Sequence, residues 1–184
     1  MKVSSKIENI FCRIDFKRIL PIDEKTAQEA GMEAAKSHLR SYIYTHPRLG
    51  VKMMIFPSGQ VFMNGAKNHD EVESSFWALK KKLKELGFSF ALSPHTEIEV
   101  ENVMATGNIR DYLPDAKIDL EKISLKENAV YEPKKFPAVF LSFIVSGARS
   151  TAMVFPSGKV LIGDVRSHED ANIVLEKVIE AVRY

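Results

Sequence analysis

Cysteine is nearly absent from this chain. Cys12 is the only one among 184 residues, which excludes an internal disulfide and any zinc module built on several thiolates. Long apolar runs are missing too. No stretch approaches the ~20 residues needed to span a bilayer. The opening Met1-Lys2-Val3-Ser4-Ser5 reaches a strand-like run too soon to leave room for a secretory signal. An intracellular, soluble protein in a reducing compartment is expected. Net charge is small: 26 basic against 24 acidic residues leaves +2, so the sum does not announce a nucleic-acid binder, and only the distribution of charge could. A Gly-rich phosphate loop, a nucleophile elbow and a His-Glu-x-x-His pair are also lacking. Neither enzyme activity nor a metal or cofactor is expected.

What the chain does have is a repeat. Ile7-Glu8-Asn9-Ile10 returns as Val100-Glu101-Asn102-Val103, and Phe56-Pro57-Ser58-Gly59 returns unchanged as Phe155-Pro156-Ser157-Gly158. A β-branched run follows each tetrapeptide, with a glycine soon after, at Gly65 and Gly163. Helix starts come next: Asn68-His69-Asp70-Glu71 matches Ser167-His168-Glu169-Asp170 at the same offset of 99. Asn and Ser are good N-caps, and acidic residues in a first turn complement the helix dipole. Capping therefore accounts for both His–acid pairs without metal or acid–base chemistry. Val72, Phe76, Leu79, Leu83 and Leu86 form one apolar stripe, and Ala171, Leu175, Val178 and Val182 form its counterpart.

Each copy reads as a strand (about 7–14 and 97–106), a short helix (23–31 and 117–124), three strands (39–46, 51–56 and 60–64; 138–146, 149–155 and 159–163) and a long helix (68–86 and 167–183). Gly87-Phe88 ends the first long helix, and Ser93-Pro94 marks the junction. The fold class is α+β: two pseudo-symmetric repeats, 1–92 and 93–184, forming one curved antiparallel sheet with helices on the convex face. The opposite sheet face is then open, and alternation puts Phe11, Phe62, Met104 and Leu161 on it. An open apolar sheet face calls for a partner.

These features resemble the TATA-binding protein family over nearly the whole chain. The family's Phe-x-Ser-Gly-Lys turn is similar to Phe56–Gln60 and Phe155–Lys159, its Thr-Gly-Ala-Lys to Asn64-Gly65-Ala66-Lys67, and its Tyr-x-Pro-x-x-Phe-Pro loop to Tyr131–Pro137. The resemblance implies a saddle that grips DNA in the minor groove with apolar wedges and amide side chains. It makes Asn9 and Asn102 the paired central amides, Phe56, Phe136 and Phe155 wedges with Leu39 in the fourth place, and Phe11, Phe62, Met104 and Leu161 groove-facing. Asn64, Ser58, Ser157, Lys67, Lys159 and Arg166 fall where the family contacts DNA. Glu132, Lys134 and Lys135 fall in the loop that docks a TFIIB-type partner.

The implied partners are double-stranded promoter DNA and a TFIIB-type factor with the RNA polymerase machinery, plus self-association through the concave face; no membrane is implied. The implied location is the archaeal cytoplasm, associated with the nucleoid, or the nucleus in a eukaryote. The short N-terminus resembles the archaeal form. Departures are visible as well. Asp164 stands in the second Gly163-Asp164-Val165-Arg166, Gln60 replaces a turn lysine, and Thr45 and Ser142 stand where arginines are usual. Fewer phosphate contacts predict weaker or altered DNA binding.

Other readings stay open from the residues alone. Asn9 and Asn102 also fit ordinary strand-end polar residues, and Phe56 and Phe155 fit core residues covering strand ends. Lys80-Lys81-Lys82-Leu83-Lys84 resembles a nucleic-acid patch but reads better as a solvated helix face; the family resemblance also leaves open a partner surface, since the family's convex helices recruit other factors. In place of a promoter-binding general factor, the chain could be a divergent paralogue acting as a protein-interaction or regulatory module, or a hybrid-binding appendage of a nuclease.

Overall fold

The computed structural model describes residues 2–89 and 96–183; the expected Ser93-Pro94 junction lies outside them. The elements follow the sequence pattern. Strand β1 (Lys6–Asp15) alternates buried Ile10, Cys12 and Ile14 with half-exposed neighbours. The short helix α1 (Glu24–Glu29) is capped by Asp23, whose side chain accepts from Thr26 N at 2.7 Å. Strands β2 (Glu33–Ala34), β3 (Tyr42–Thr45), β4 (Lys52–Ile55) and β5 (Gln60–Ala66) lead to helix α2 (His69–Glu85). Asn68 Oδ1 accepts from Glu71 N at 2.8 Å, and Val72, Phe76, Leu79 and Leu83 are buried. Gly87 N donates to Lys84 O and Phe88 N to Leu83 O, a Schellman stop.

The second copy repeats the series. It comprises β6 (Glu97–Asn108), α3 (Leu120–Ser124), β7 (Ala129–Val130), β8 (Val139–Val145), β9 (Ala148–Val154), β10 (Lys159–Val165) and α4 (His168–Val182). Ser167 Oγ accepts from Asp170 N at 3.0 Å, and Ala171, Leu175, Val178 and Val182 are buried. His168 Nε2 donates to Ser5 O at 2.7 Å, which makes it an anchor for the first residues. The sequence gives no sign of the two-residue strands β2 and β7, or of the 3-10 turn Ile109–Asp111. They are too short to show a period.

The strands are hydrogen-bonded in the order β2-β3-β4-β5-β1-β6-β10-β9-β8-β7. Two compact units arise, Asn9–Glu101, and Met1–Glu8 with Asn102–Tyr184. Each long first strand is shared between them. Arg13 on β1 bonds Glu99 on β6 within one unit, while Thr106 on β6 bonds Glu8 on β1 within the other. In each unit one sheet face packs on its long helix, with α2 on β5 and α4 on β8, β9 and β10.

The Phe-Pro-Ser-Gly turns are alike in both units. Gly59 N donates to Phe56 O, and Gly158 N to Phe155 O, each at 2.9 Å. Gly59 has φ +92°, and a Cβ there would lie 1.9 Å from Arg18 O, so only glycine fits.

Candidate nucleic-acid interface

In the unit 9–101, the sheet face away from α2 carries a row in register across four strands: Ile43, Met54, Phe62 and Arg13. Phe11 stacks on Phe62 with centroids 5.6 Å apart, and Phe56 meets Phe62 edge-on, also at 5.6 Å. Leu39 is 68% exposed. Leu39, Phe56, Ser58 and Phe62, with Asp15 and Gln60, line a hollow of about 430 Å³. Phe56 is half-buried at the strand end, set there by the turn that begins at its own carbonyl.

The unit containing 102–184 presents the equivalent row Phe140, Met153, Leu161 and Thr106. Met104 is half-buried between buried Val103 and Ala105. Phe136, 40% exposed, meets Phe155 edge-on at 6.0 Å and lies 5.5 Å from Phe140. The loop that carries Phe136 is folded locally: Lys135 N and Phe136 N both donate to Glu132 O, and the Glu132 and Lys135 side chains form an ion pair. Lys134 is exposed. One aromatic pair thus stands at this strand end (Phe136 with Phe155), where the other unit has Leu39 and Phe56.

The two amides sit beside matching bulges. Between Ile10 and Cys12 of β1, and between Ile162 and Val165 of β10, the register shifts. The bulge residues Gly65 and Asp164 have positive φ, +106° and +59°, a conformation open to glycine and tolerated by Asp. Gly65 N donates to Asn9 Oδ1 at 2.7 Å, and Asp164 N donates to Asn102 Oδ1 at 3.1 Å. A backbone N–H can only donate, so each amide oxygen faces the protein and each NH2 group is the other end. There the copies part. Asn9 Nδ2 donates to Asn64 Oδ1 at 2.6 Å, whereas Gly163 stands at the matching place and has no side chain for Asn102.

Lys67, Lys159 and Arg166 are exposed and form no ion pair among the described residues; Ser58 and Ser157 are exposed at the turns. Carboxylates also hold cations in and just after the first strand. Arg13 is held by Glu99 at 2.6 Å and Glu101 at 3.0 Å, and Lys17 by Glu97 at 3.0 Å. Sequence reasoning missed Ile43, Met54, Phe140 and Met153, although alternation in β3, β4, β8 and β9 carries the signal. It also missed Arg13 and Arg110, whose Nε donates to Ser157 O at 3.0 Å; nothing in a single sequence marks them.

The family model described as "Transcription factor TFIID (or TATA-binding protein, TBP)" matches residues 4–86 and 97–184. The chain belongs to the TATA-binding protein family. The TATA-box-binding protein of Pyrobaculum aerophilum is 27% identical over 181 residues, 98% of this chain and 86% of that one. That of Methanocaldococcus jannaschii is 32% identical over 134 residues, covering 72% and 68%. The solved Methanococcus jannaschii TBP superposes with a TM-score of 0.73 at 27% identity, covering 98% of both chains. The ten-stranded antiparallel sheet with its four α-helices is therefore the fold of this family. Membership makes the chain a DNA-binding transcription factor built of two repeats, in a family whose members are not enzymes.

Proposed function

We propose that this TATA-binding protein family member binds promoter DNA of TATA type through the minor groove, bends it, and recruits a TFIIB-type factor through the loop 131–137. The observation that carries this reading is the paired site chemistry: each unit offers an apolar strand row, ring edges at a strand end, and an amide beside a bulge. A·T pairs present only acceptors in the minor groove, so an outward NH2 is the complementary group. Wedging unstacks a base step at a cost of a few kcal/mol, offset by the surface that a bent duplex brings into contact. Phe136, exposed, and the half-buried Phe155 and Phe56 stand at the strand ends for this role, and the exposed Leu39 supplies a smaller wedge. Lys67, Lys159 and Arg166, which form no ion pair among the described residues, would release counterions on contact with phosphates. The slope of log K against log salt is then about −3.

A second reading rests on the carboxylates. Glu97, Glu99 and Glu101 already engage Lys17 and Arg13, which lowers the positive charge available to phosphates. It favours a paralogue whose open face takes a protein segment. Titration of the protein into end-labelled TATA and scrambled duplexes at two salt concentrations, with energy transfer between the ends, separates the two. Tight, selective binding with a bend supports the promoter factor. Weak, unselective binding without a bend rejects it in favour of the protein-binding paralogue.

A further inference from the structure

The two bulges offer different chemical groups beside their amides. In the unit 9–101, Asn9 Nδ2 donates to Asn64 Oδ1 at 2.6 Å, so the NH2 group of Asn64 is its free end. Asn64 is exposed, and Gly65 after it has no side chain. This bulge therefore offers donors. In the unit containing 102–184 the same two places hold Gly163 and Asp164. A Cβ at Gly163 would meet nothing within 4 Å, so the place that a side chain fills in the other unit stands open. Asp164 is exposed, and among the described residues its carboxylate takes part in no hydrogen bond or ion pair. Its own N–H donates to Asn102 Oδ1 at 3.1 Å, which sets a free acceptor next to the outward NH2 group of Asn102.

A carboxylate can only accept hydrogen bonds. In the minor groove A·T and T·A pairs also show only acceptors, and the 2-amino group of guanine is the one donor that any base pair adds there. Against an all-A·T groove Asp164 sets acceptor against acceptor, and a charge taken out of water without a partner is costly. Against a G·C pair the same carboxylate has a donor, while the Asn102 NH2 group still finds a base acceptor. The open place at Gly163 leaves room for the protruding amine. Folding does not require the difference between the copies. Gly65 has φ +106° where Asp164 has +59°, and glycine serves at either value, so the bulge tolerates the carboxylate without needing it.

We propose, resting on the minor-groove reading above, that the unit containing 102–184 selects a G·C pair at the position met by Asn102, with Asp164 as the specificity-determining residue that accepts from the guanine 2-amino group. The unit 9–101, which offers only donors, selects A·T at its own amide. The preferred element is then a TATA-type sequence interrupted by G·C in one half.

Inosine lacks only the 2-amino group of guanine, so comparing the two bases isolates that amine. The full chain is titrated with an end-labelled all-A·T TATA duplex and with duplexes carrying one G·C or one inosine·C pair, moved through every position of the element. Energy transfer between the ends reports the bend. The expected result is one position, in one half of the element only, where guanine binds at least about fivefold more tightly than inosine. In Asp164→Gly, which copies Gly65, that ratio should fall to unity or below, with the circular dichroism spectrum unchanged. Both proteins meet the same duplexes, so differences in duplex stiffness cancel between them. Binding and bending of the all-A·T duplex without a guanine-dependent gain at any position overturns this proposal alone, and so does a gain that survives Asp164→Gly. Failure to bind and bend any of the duplexes overturns the minor-groove reading, and the proposal with it.

Discussion

Asn102→Asp separates a structural role from a DNA-reading role at one atom. Asn102 Oδ1 accepts from Asp164 N at 3.1 Å, and aspartate keeps that acceptor. What it removes is the NH2 donor, and what it adds is a negative charge. A well-placed amide–base contact contributes ~1–3 kcal/mol of discrimination, so loss of the donor alone should weaken binding to a TATA duplex by roughly 5- to 150-fold. Repulsion between the carboxylate and the groove acceptors adds to this. The internal hydrogen bond is retained, and stability should change by no more than about 1 kcal/mol. Asn9→Asp provides the contrast. Asn9 Nδ2 already donates to Asn64 Oδ1 at 2.6 Å, and the Asn64 amide can turn its own NH2 toward an aspartate at position 9. Its loss in DNA affinity should be the smaller of the two. Anisotropy titration of the three proteins with one labelled TATA duplex, alongside thermal unfolding, provides both numbers. If Asn102→Asp binds as tightly as the parent while its melt is unchanged, the amide does not read DNA.

Three further outcomes follow from the same geometry. Phe155→Ala removes the edge-on contact to Phe136 at a half-buried position. The pair contributes ~0.5–1.5 kcal/mol beyond area burial, so energy-transfer bending should fall more than stability does, and unfolding without a specific bending defect would mark Phe155 as core. Gly59→Ala forces a Cβ to 1.9 Å from Arg18 O at φ +92°; a loss well above 1 kcal/mol is expected by chemical denaturation, and a neutral result would contradict the turn geometry. Burial pushes the Cys12 thiol from 9.0 up to about 11, so the folded state resists ionisation. The resulting stability is complete below the ordinary thiol range and is lost as pH rises through 11. Disulfide-exchange labelling of the native protein at pH 8 should accordingly be slow, and rapid labelling would refute the burial.

The repeated cap, stripe and tetrapeptide could be read directly because each depends on local chemistry. Asn68 and Ser167 bond the helix starts that their side chains predict, and the long helices begin within a residue of expectation. The candidate site was legible where alternation alone decides the face, as at Phe11 between Ile10 and Cys12. It was not legible where the neighbour comes from a distant strand. Arg13 appears in the sequence as an unassigned cation, yet in the structure its guanidinium lies between Glu99 and Glu101, more than eighty residues away. Lys80 shows the converse error. Its place in a run of lysines suggests a solvated face, but that run circles the helix at 100° per residue, and Lys80 falls on the turn that brings it over Phe76 and Trp77. The bulges are the least visible features, because a single inserted residue leaves composition unchanged. The repeat offset of 99 aligns Asp164 with Gly65, but only the backbone shows that both take positive φ at a bulge. The acid set at the expected phosphate edge is thus first a backbone solution, and its N–H is what turns the Asn102 amide outward.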